Sequence, residues 1–368
     1  MASYSDILDN LERTGNYRRI PAEDAPGKCV DFSTNDYMGL ALRADLQERF
    51  FADADNRGLL MSSSASRLLA SCQKEHLALE GMLGELYGRD VLLFNSGYHA
   101  NTGIISSLAS EGAFIVADKL SHASIIDGMV LSRAPFVRFR HNDYAHLERI
   151  LAKSAKDYER VLVVTESVFS MDGDRADIGR LVEIKRRYPN VLLYVDEAHA
   201  FGVSGAQGLG YARSYPEVDV IVGTFGKAAA STGAFAAVSG EIKRFLVNKA
   251  RSFIFSTALS PMTSAWTRFM VETLIGMDRV RAHVEELSRR LNAGLRIASE
   301  PSHIQPLIVG DARRAVELSR ELYDAGYKAL PIRTPTVPAG TERLRFSISA
   351  SMSVDDIDGV VNCLEKVI

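Results

Sequence analysis

Cysteine is scarce in this chain of 368 residues, where Cys29, Cys72 and Cys363 lie far apart. Three widely spaced cysteines provide neither a disulfide framework nor a metal-binding spacing. We therefore interpret all three as packing residues, expect no metal site, and expect the protein to work in the reducing cytoplasm.

The sequence also lacks a strong charge of either sign and any long hydrophobic run. Its formal net charge is −3 at pH 7, which offers no basic surface to nucleic acid or to an anionic membrane. No apolar run reaches the roughly 18 residues of a membrane span, and residues 1–6 lack the pattern of a signal peptide. These absences predict a globular protein that binds neither nucleic acid nor membrane.

The length exceeds the roughly 100–200 residues expected of one domain, so we predict more than one. Residues 1–40 are predicted to form an N-terminal arm with a short amphipathic helix. Residues 41–275 alternate apolar strands with helical stretches, which predicts a mostly parallel sheet covered by helices on both faces. Residues 276–368 contain charged helices and an alternating strand over 343–348, which predicts a small α+β domain.

One stretch carries a candidate nucleophile. Residues 220–222 are apolar and β-branched, as is typical of a buried strand, and a glycine-flanked turn that ends in Lys227 follows them. A lysine in such a place is costly to leave charged and unpaired, so it loses its proton more readily and can attack an aldehyde. Taken alone, this pattern is more typical of a solvated surface lysine.

A second strand, predicted over residues 191–195, runs directly into Asp196-Glu-Ala-His199. Ligands of open α/β sheets bind at the carboxyl ends of strands, so we expect Asp196, His199 and Lys227 to share one edge of the sheet. A buried carboxylate beside such a lysine suits pyridoxal phosphate (PLP), because the carboxylate keeps the pyridine nitrogen protonated and the ring then accepts electrons.

A nucleotide-binding interpretation fails on spacing. Asp-Glu-Ala-His also spells a helicase motif, and Gly226-Lys227 resembles the end of a phosphate loop. That loop requires glycine at position 221 and serine or threonine at position 228, where this chain has Ile221 and Ala228. The acidic motif also precedes the lysine, which is the wrong order.

A phosphate site is predicted where another strand, residues 91–94, meets the start of a helix. Ser96, Gly97 and Tyr98 lie at this junction, and backbone N–H groups at a helix start point toward an anion. Without the lysine this would be an ordinary strand-to-helix turn, but beside a PLP lysine it is the expected place for the cofactor phosphate.

Together these motifs resemble the α-oxoamine synthases, a branch of the fold-type I PLP-dependent transferases with the aspartate aminotransferase-like fold. The resemblance covers nearly the whole chain, from Asn35-Asp-Tyr-Met-Gly-Leu40 to Arg345. The stretches most similar to the biotin-pathway branch are 96–101, 140–143, 255–257 and 335–340. That branch condenses L-alanine with a pimeloyl thioester and releases CO2.

The resemblance implies roles for the cofactor residues. Lys227 would bond to the cofactor aldehyde, Asp196 would pair with the pyridine nitrogen, and His199 would bind the ring hydroxyl. His122 would stack on the ring, although without the resemblance it would be taken for a loop or core histidine. Further cofactor contacts are implied for Gly97, Tyr98, Ser170 and Thr224, and for Ser256 and Thr257 from the partner subunit of a homodimer.

The resemblance also implies how substrates bind. Asn35 and Arg345 would hold the amino-acid carboxylate, for which a fork-shaped guanidinium is suited, although Arg345 could otherwise be a plain exposed strand residue. Arg18 or Arg19 would meet the acyl chain. The thioester carrier, coenzyme A or a carrier protein, stays open.

The chain departs from the family pattern in two stretches. Residues 64–71 and 228–233 carry serine and alanine where the family is rich in glycine, and this puts the identity of the acyl donor in doubt. The alternatives are condensation of glycine with an acetyl or succinyl donor, condensation of serine with a long acyl donor, an aminotransferase, and a PLP-fold protein without catalysis. The intact Lys227, Asp196 and His122 argue against the last.

Overall fold

The computed structural model describes residues 3–18, 20 and 29–367, so Arg19 lies outside the described residues. The helices are α1 (Tyr4–Arg13), α2 (Ala44–Ala52), α3 (Ala54–Arg57), α4 (Lys74–Tyr87), α5 (Gly97–Leu108), α6 (Ala123–Ser132), α7 (Tyr144–Ser154), α8 (Ile178–Lys185), α9 (Gly240–Lys249), α10 (Arg251–Ile254), α11 (Pro261–Ile275), α12 (Asp278–Gly294), α13 (Ala312–Asp324) and α14 (Val354–Val367). The strands are β1 (Val30–Asp31), β2 (Asp90–Phe94), β3 (Ala113–Asp118), β4 (Phe136–Phe139), β5 (Arg160–Glu166), β6 (Val191–Asp196), β7 (Val220–Thr224), β8 (Ala234–Val238), β9 (Ile304–Ile308), β10 (Tyr327–Lys328), β11 (Leu330–Ile332) and β12 (Arg343–Ser347).

The chain divides into two compact units. The larger unit comprises residues 38–169 and 175–281, and the smaller unit comprises the residues up to 37, residues 170–174 and the residues from 282 onward. The N-terminal segment groups with the C-terminal residues because β1 pairs in parallel with β10. This differs from the expected division, in which residues 1–40 formed a separate arm and the border fell at residue 276.

The larger unit is built on a seven-stranded sheet with the strand order β2-β8-β7-β6-β5-β3-β4. Strands β3 to β7 pair in parallel, whereas β8 is antiparallel to both β2 and β7. The sheet is therefore mixed at one side. The carboxyl ends of β5, β6 and β7 are neighbours, with Glu166 opposite Asp196 and Asp196 opposite Val222.

The apolar strand residues explain why these segments form a central sheet. Every residue of β3, β7 and β8 is buried, as expected of strands covered on both faces. Helices α5 and α6 pack on one face, where Ile104, Ile125, Leu162 and Val222 belong to one hydrophobic cluster. Helix α8 is capped by Asp177, whose side chain accepts the backbone N–H of Arg180 at 2.9 Å.

The smaller unit contains the three-stranded antiparallel sheet β11-β12-β9. We expected an alternating strand over residues 343–348, but all five residues of β12 are buried. Pairing with β11 and β9 satisfies both edges of this strand, and the burial of every side chain shows that both of its faces are also covered. Among the described residues, no helix is both long and apolar enough to cross a membrane.

Candidate active site

Strand β6 ends at Asp196, which is buried and holds its carboxylate in two hydrogen bonds. The Nδ2 atom of Asn101 donates to Oδ2 at 2.7 Å, and the backbone N–H of Ala198 donates to Oδ1 at 2.8 Å. Two donors on opposite oxygens fix the plane of the carboxylate.

The amine of Lys227 lies next to His199. Its Nζ atom is 2.7 Å from His199 Nε2, and His199 is only 5% exposed. The turn that carries the lysine is closed by backbone hydrogen bonds from Ala230 to Lys227 and from Ser231 to Phe225. The structure thus brings Lys227 and His199 together beyond the ends of β7 and β6.

His122 and Glu166 lie within the electrostatic reach of the same charges. Burial lowers the pKa of His122, while the charge of Asp196 raises it and that of Lys227 lowers it further. Burial, followed by repulsion from Asp196, raises the pKa of Glu166 well above its usual range. The Glu166 side chain accepts the backbone N–H of His122 at 2.6 Å, so this carboxyl fixes the loop that presents the histidine.

Helix α5 begins beside Thr224. Ser96 caps the helix by accepting the N–H of His99, whereas the N–H groups of Gly97 and Tyr98 belong to the first turn, which has no intrahelical acceptor. A Cβ atom on Gly97 would stand 3.8 Å from Thr224 Oγ1, so the threonine lies beside the helix start, and its hydroxyl donates to Gly233 O at 3.1 Å. Backbone N–H groups at a helix N-terminus are donors that fit a phosphate group.

Ser256 and Thr257 lie on a different segment, between α10 and α11. Thr257 is exposed and forms a bridge with Ser66, and its carbonyl accepts Asn95 Nδ2 at 2.6 Å. The expected contact of Ser256 and Thr257 with a phosphate of the partner subunit stays a prediction.

The smaller unit contains a buried arginine surrounded by neutral groups. Arg345 is 7% exposed. Its guanidinium donates to Ser170 O at 2.6 Å, Ser347 Oγ at 2.6 Å, Asn35 Oδ1 at 3.1 Å and Tyr37 Oη at 3.3 Å. Burial raises the pKa of Tyr37 to about 12, so its hydroxyl stays neutral.

The arrangement around Arg345 corrects the alternative of a plain exposed strand residue. It also places Ser170 in the smaller unit, where its carbonyl binds Arg345. An arginine of the same strand shows the contrast, because Arg343 forms an ion pair with Asp172. A buried guanidinium without a carboxylate partner is suited to a carboxylate ligand.

Arg18 also belongs to the smaller unit and is exposed. Its Nη2 atom donates to Thr336 Oγ1 at 3.0 Å, in the loop whose sequence resembles the biotin-pathway branch. Burial, and then the neighbouring charge of Arg18, lowers the pKa of Arg333 in the same loop. Two guanidinium groups therefore lie within electrostatic reach of each other.

Three polar residues had been given no role from the sequence: Asn101 and Glu166 of the larger unit, and Tyr37 of the smaller unit. For two of them, the sequence contains a feature that could have indicated a role. Asn101 is a buried amide inside a predicted helix, one turn after Gly97, and Glu166 ends β5 as Asp196 ends β6. Tyr37 follows Asn35 by two residues, and only the fold brings it to Arg345.

The residues of the larger unit fit PLP. A half-buried lysine amine beside a histidine can bond to an aldehyde, a buried carboxylate can hold a protonated ring nitrogen, and the start of α5 supplies phosphate donors. Together with a mostly parallel sheet flanked by helices, these groups define a PLP-dependent transferase of fold type I.

Comparison with known proteins assigns the family. Residues 27–364 match the family model described as Aminotransferase class I and II. The chain belongs to this family and, within it, to the α-oxoamine synthases. The predictions of an enzyme, of PLP as its cofactor and of the α/β fold are thereby confirmed.

Similar curated proteins are named for one activity. A protein of Pasteurella multocida called putative 8-amino-7-oxononanoate synthase is 45% identical over 99% of this chain and 98% of its own length. A protein of Haemophilus ducreyi called 8-amino-7-oxononanoate synthase is 43% identical over 99% of this chain and 100% of its own.

Similar solved structures carry two names. A serine palmitoyltransferase from S. paucimobilis, with a bound PLP–myriocin aldimine, has a TM-score of 0.89 at 28% identity and covers 98% of this chain and 95% of its own. An 8-amino-7-oxononanoate synthase from Francisella tularensis has a TM-score of 0.78 at 28% identity, and the match covers 92% of this chain and 97% of its own.

Proposed function

We propose that this enzyme condenses L-alanine with a pimeloyl thioester to give 8-amino-7-oxononanoate, CO2 and the free thiol, a step of biotin biosynthesis. The names of relatives at 42–46% identity support the reaction. The observation on which the chemistry depends is the 2.7 Å contact of Lys227 Nζ with His199 Nε2 beyond the strand that ends at Asp196.

Bound PLP would supply an electron sink, which lowers the free energy needed to remove the α-proton of an amino acid. Lys227 is the base that removes this proton from alanine and later returns a proton to the product. Its position beside His199 provides a neighbour through which the amine is oriented. Asp196, whose carboxylate is oriented by its two hydrogen bonds, keeps the ring nitrogen protonated.

Arg345 and Asn35 bind the carboxylate of alanine. The guanidinium lacks a negative partner among its four hydrogen-bond acceptors, so an incoming carboxylate gains a charge-assisted pair. After the new carbon–carbon bond forms, the bond to this carboxylate breaks and CO2 leaves. Burial lowers the pKa of His122, which favours the neutral imidazole, and we assign this residue to assist the step.

The pair of Arg18 and Arg333 favours a donor with a carboxylate at its far end. A pimeloyl thioester has such a carboxylate, whereas a long saturated acyl chain ends in a methyl group and gains nothing from two cations. Serine with a long acyl donor is the second candidate, because serine palmitoyltransferase structures match at a TM-score of 0.89. The higher identity to relatives named for 8-amino-7-oxononanoate favours alanine and pimeloyl.

We also infer a homodimer. Leu60, Met61, Leu68 and Leu69 are exposed large apolar residues in the larger unit, and Phe255 is 71% exposed. The segments that carry them are joined, since Ala258 N–H donates to Ala65 O and Thr257 bridges Ser66. An apolar surface of this kind suits a second copy of the chain, which would place Ser256 and Thr257 near the partner's cofactor.

The test is product formation from alanine, glycine and serine, each offered with pimeloyl, acetyl, succinyl and palmitoyl thioesters of coenzyme A and of carrier protein. We expect alanine with pimeloyl to have the highest kcat/KM. One methyl group is worth only about 1–3 kcal/mol in an apolar pocket, so glycine should react measurably. Faster reaction of serine with palmitoyl, or of glycine with acetyl or succinyl, would reject the substrate assignment and leave the family assignment intact.

A further inference from the structure

Asn101 occupies the centre of a buried hydrogen-bond network in the larger unit. It is 2% exposed on α5 and contacts side chains from two other parts of the fold. Tyr194 Oη donates to Asn101 Oδ1 at 2.5 Å, and Asn101 Nδ2 donates to Asp196 Oδ2 at 2.7 Å and to Ser124 Oγ at 2.9 Å. Both hydrogens of the amide and its oxygen therefore have partners.

The orientation of the amide follows from its neighbours. Burial, followed by repulsion from Asp196, raises the pKa of Tyr194 well above its usual range, so the phenol keeps its proton. The phenol donates this proton to the amide oxygen, and the NH2 group must then face Asp196 and Ser124. A flipped amide would place its oxygen against the Asp196 carboxylate, which is repulsive.

The network continues to His122. Ser124 Oγ accepts from Asn101, so its own hydrogen is available for His122 Nδ1 at 2.8 Å, and the Ser124 backbone N–H also reaches Nδ1 at 3.2 Å. Two donors directed at Nδ1 leave that nitrogen without a proton. A neutral His122 then carries its proton on Nε2.

We propose that Asn101 is a positioning residue that orients the Asp196 carboxylate and, through Ser124, fixes the proton of His122 on Nε2. One amide thus orients two side chains of the cofactor site. In the proposed function, Asp196 pairs with the ring nitrogen and His122 stacks on the face of the ring. The inference takes the roles of Asp196 and His122 from the proposed function. Its test is independent of the substrates, because it needs bound PLP but neither alanine nor a thioester.

The experiment uses holoenzyme with PLP labelled with ¹⁵N at the ring nitrogen and protein labelled with ¹⁵N-histidine. The ring resonance reports protonation held by Asp196, and the His122 resonances, assigned by their loss in His122→Gln, report the tautomer. We expect Asn101→Ala to shift both signals and to raise the PLP dissociation constant about tenfold to hundredfold, as loss of a hydrogen bond to a charged group does.

Two further variants separate this role from a merely structural one. Ser124→Ala should disturb the His122 tautomer and leave the ring nitrogen as in the parent. Tyr194→Phe removes only the donor that orients the amide, so it should shift both signals in the same direction by less. If Asn101→Ala does not fold, Tyr194→Phe tests the same coupling.

The matched control is Asn190→Ala, which removes a half-buried amide that binds Ala155 O and Tyr158 O away from these groups. It should lower stability and leave both NMR signals unchanged. Unchanged ring and His122 signals in folded Asn101→Ala would overturn the proposal, as would equal shifts in Asn190→Ala. Failure of the proposed reaction would appear instead as absent product while these NMR differences persist.

Discussion

The buried charges at Asp196 and Arg345 are stabilised in different ways. The Asp196 carboxylate, in the larger unit, already has a donor on each oxygen and lies within electrostatic reach of Lys227 and His122. The Arg345 guanidinium, in the smaller unit, donates only to neutral groups among the described residues. The proposed function accounts for this difference, because a carboxylate that holds a cofactor ring would be oriented by the protein, whereas a guanidinium that binds a substrate carboxylate would be neutralised by the ligand.

The largest expected effect is in the larger unit. Lys227→Ala removes the group to which the proposed function assigns the transfer of the α-proton, so kcat should fall on the order of 10⁴-fold. The folded protein should also fail to retain cofactor after borohydride reduction, whereas in the parent the label should lie on the peptide that contains Lys227. Lys249→Ala, an exposed lysine at the end of α9, is the control. Covalent label on another lysine would refute the assignment.

Asp196→Asn keeps the shape of the side chain and removes its charge. We expect turnover to drop by about three powers of ten, on the order of 4 kcal/mol in the activation barrier, with little change in folding. Steady-state kinetics with circular dichroism as a folding check measure this. Near-normal turnover would show that the ring nitrogen does not depend on this carboxylate.

Glu197 tests the larger unit through stability. Burial raises its pKa to about 7, while its carboxyl accepts from Ser167 Oγ and Ala212 N. The folded state thus binds a proton that the unfolded chain releases above its ordinary pKa of 4.5. The free energy of unfolding should fall by about 3 kcal/mol between pH 4.5 and pH 7 through this group.

Glu197→Gln supplies the neutral form at every pH. It should be more stable than the parent at pH 8 and similar at pH 4.5, with a shallower slope that Glu166 still contributes to. Urea unfolding across this range measures the difference. A parent whose stability rises with pH in this window, and a variant with the same slope, would contradict the raised pKa.

The smallest effect concerns the two arginines of β12. Arg345→Met should raise KM for alanine about tenfold to hundredfold, because a charged hydrogen-bond donor to its carboxylate is lost. It should also lower Tm, because four acceptors around the guanidinium lose their donor. Arg343→Met should lower Tm by leaving Asp172 unpaired and should leave KM for alanine unchanged. Alanine titrations and thermal melts of both variants separate them. Equal KM changes would remove the contrast between a paired and an unpaired arginine.

Much of the fold was predictable because its strands are apolar and its helices periodic. The strands expected over residues 91–94 and 191–195 are present as β2 and β6. The antiparallel β8 was not predicted, since Ala234–Val238 has no pattern that sets its direction. The direction of β8 is set by its pairing with β2 and β7, which are distant in the chain.

The sequence by itself determined the chemistry of this protein: a lysine after a buried strand, an aspartate and a histidine after another, and motifs that resemble one enzyme family. These follow from residue type and local spacing, which survive in any fold that keeps the strands parallel. Tertiary structure decided what those groups contact. Only the approach of α5 to β6 gives Asp196 the amide of Asn101. Only the packing of Asn35, Tyr37 and Ser170 against β12 gives Arg345 its neutral partners, because both arrangements depend on residues distant in the chain.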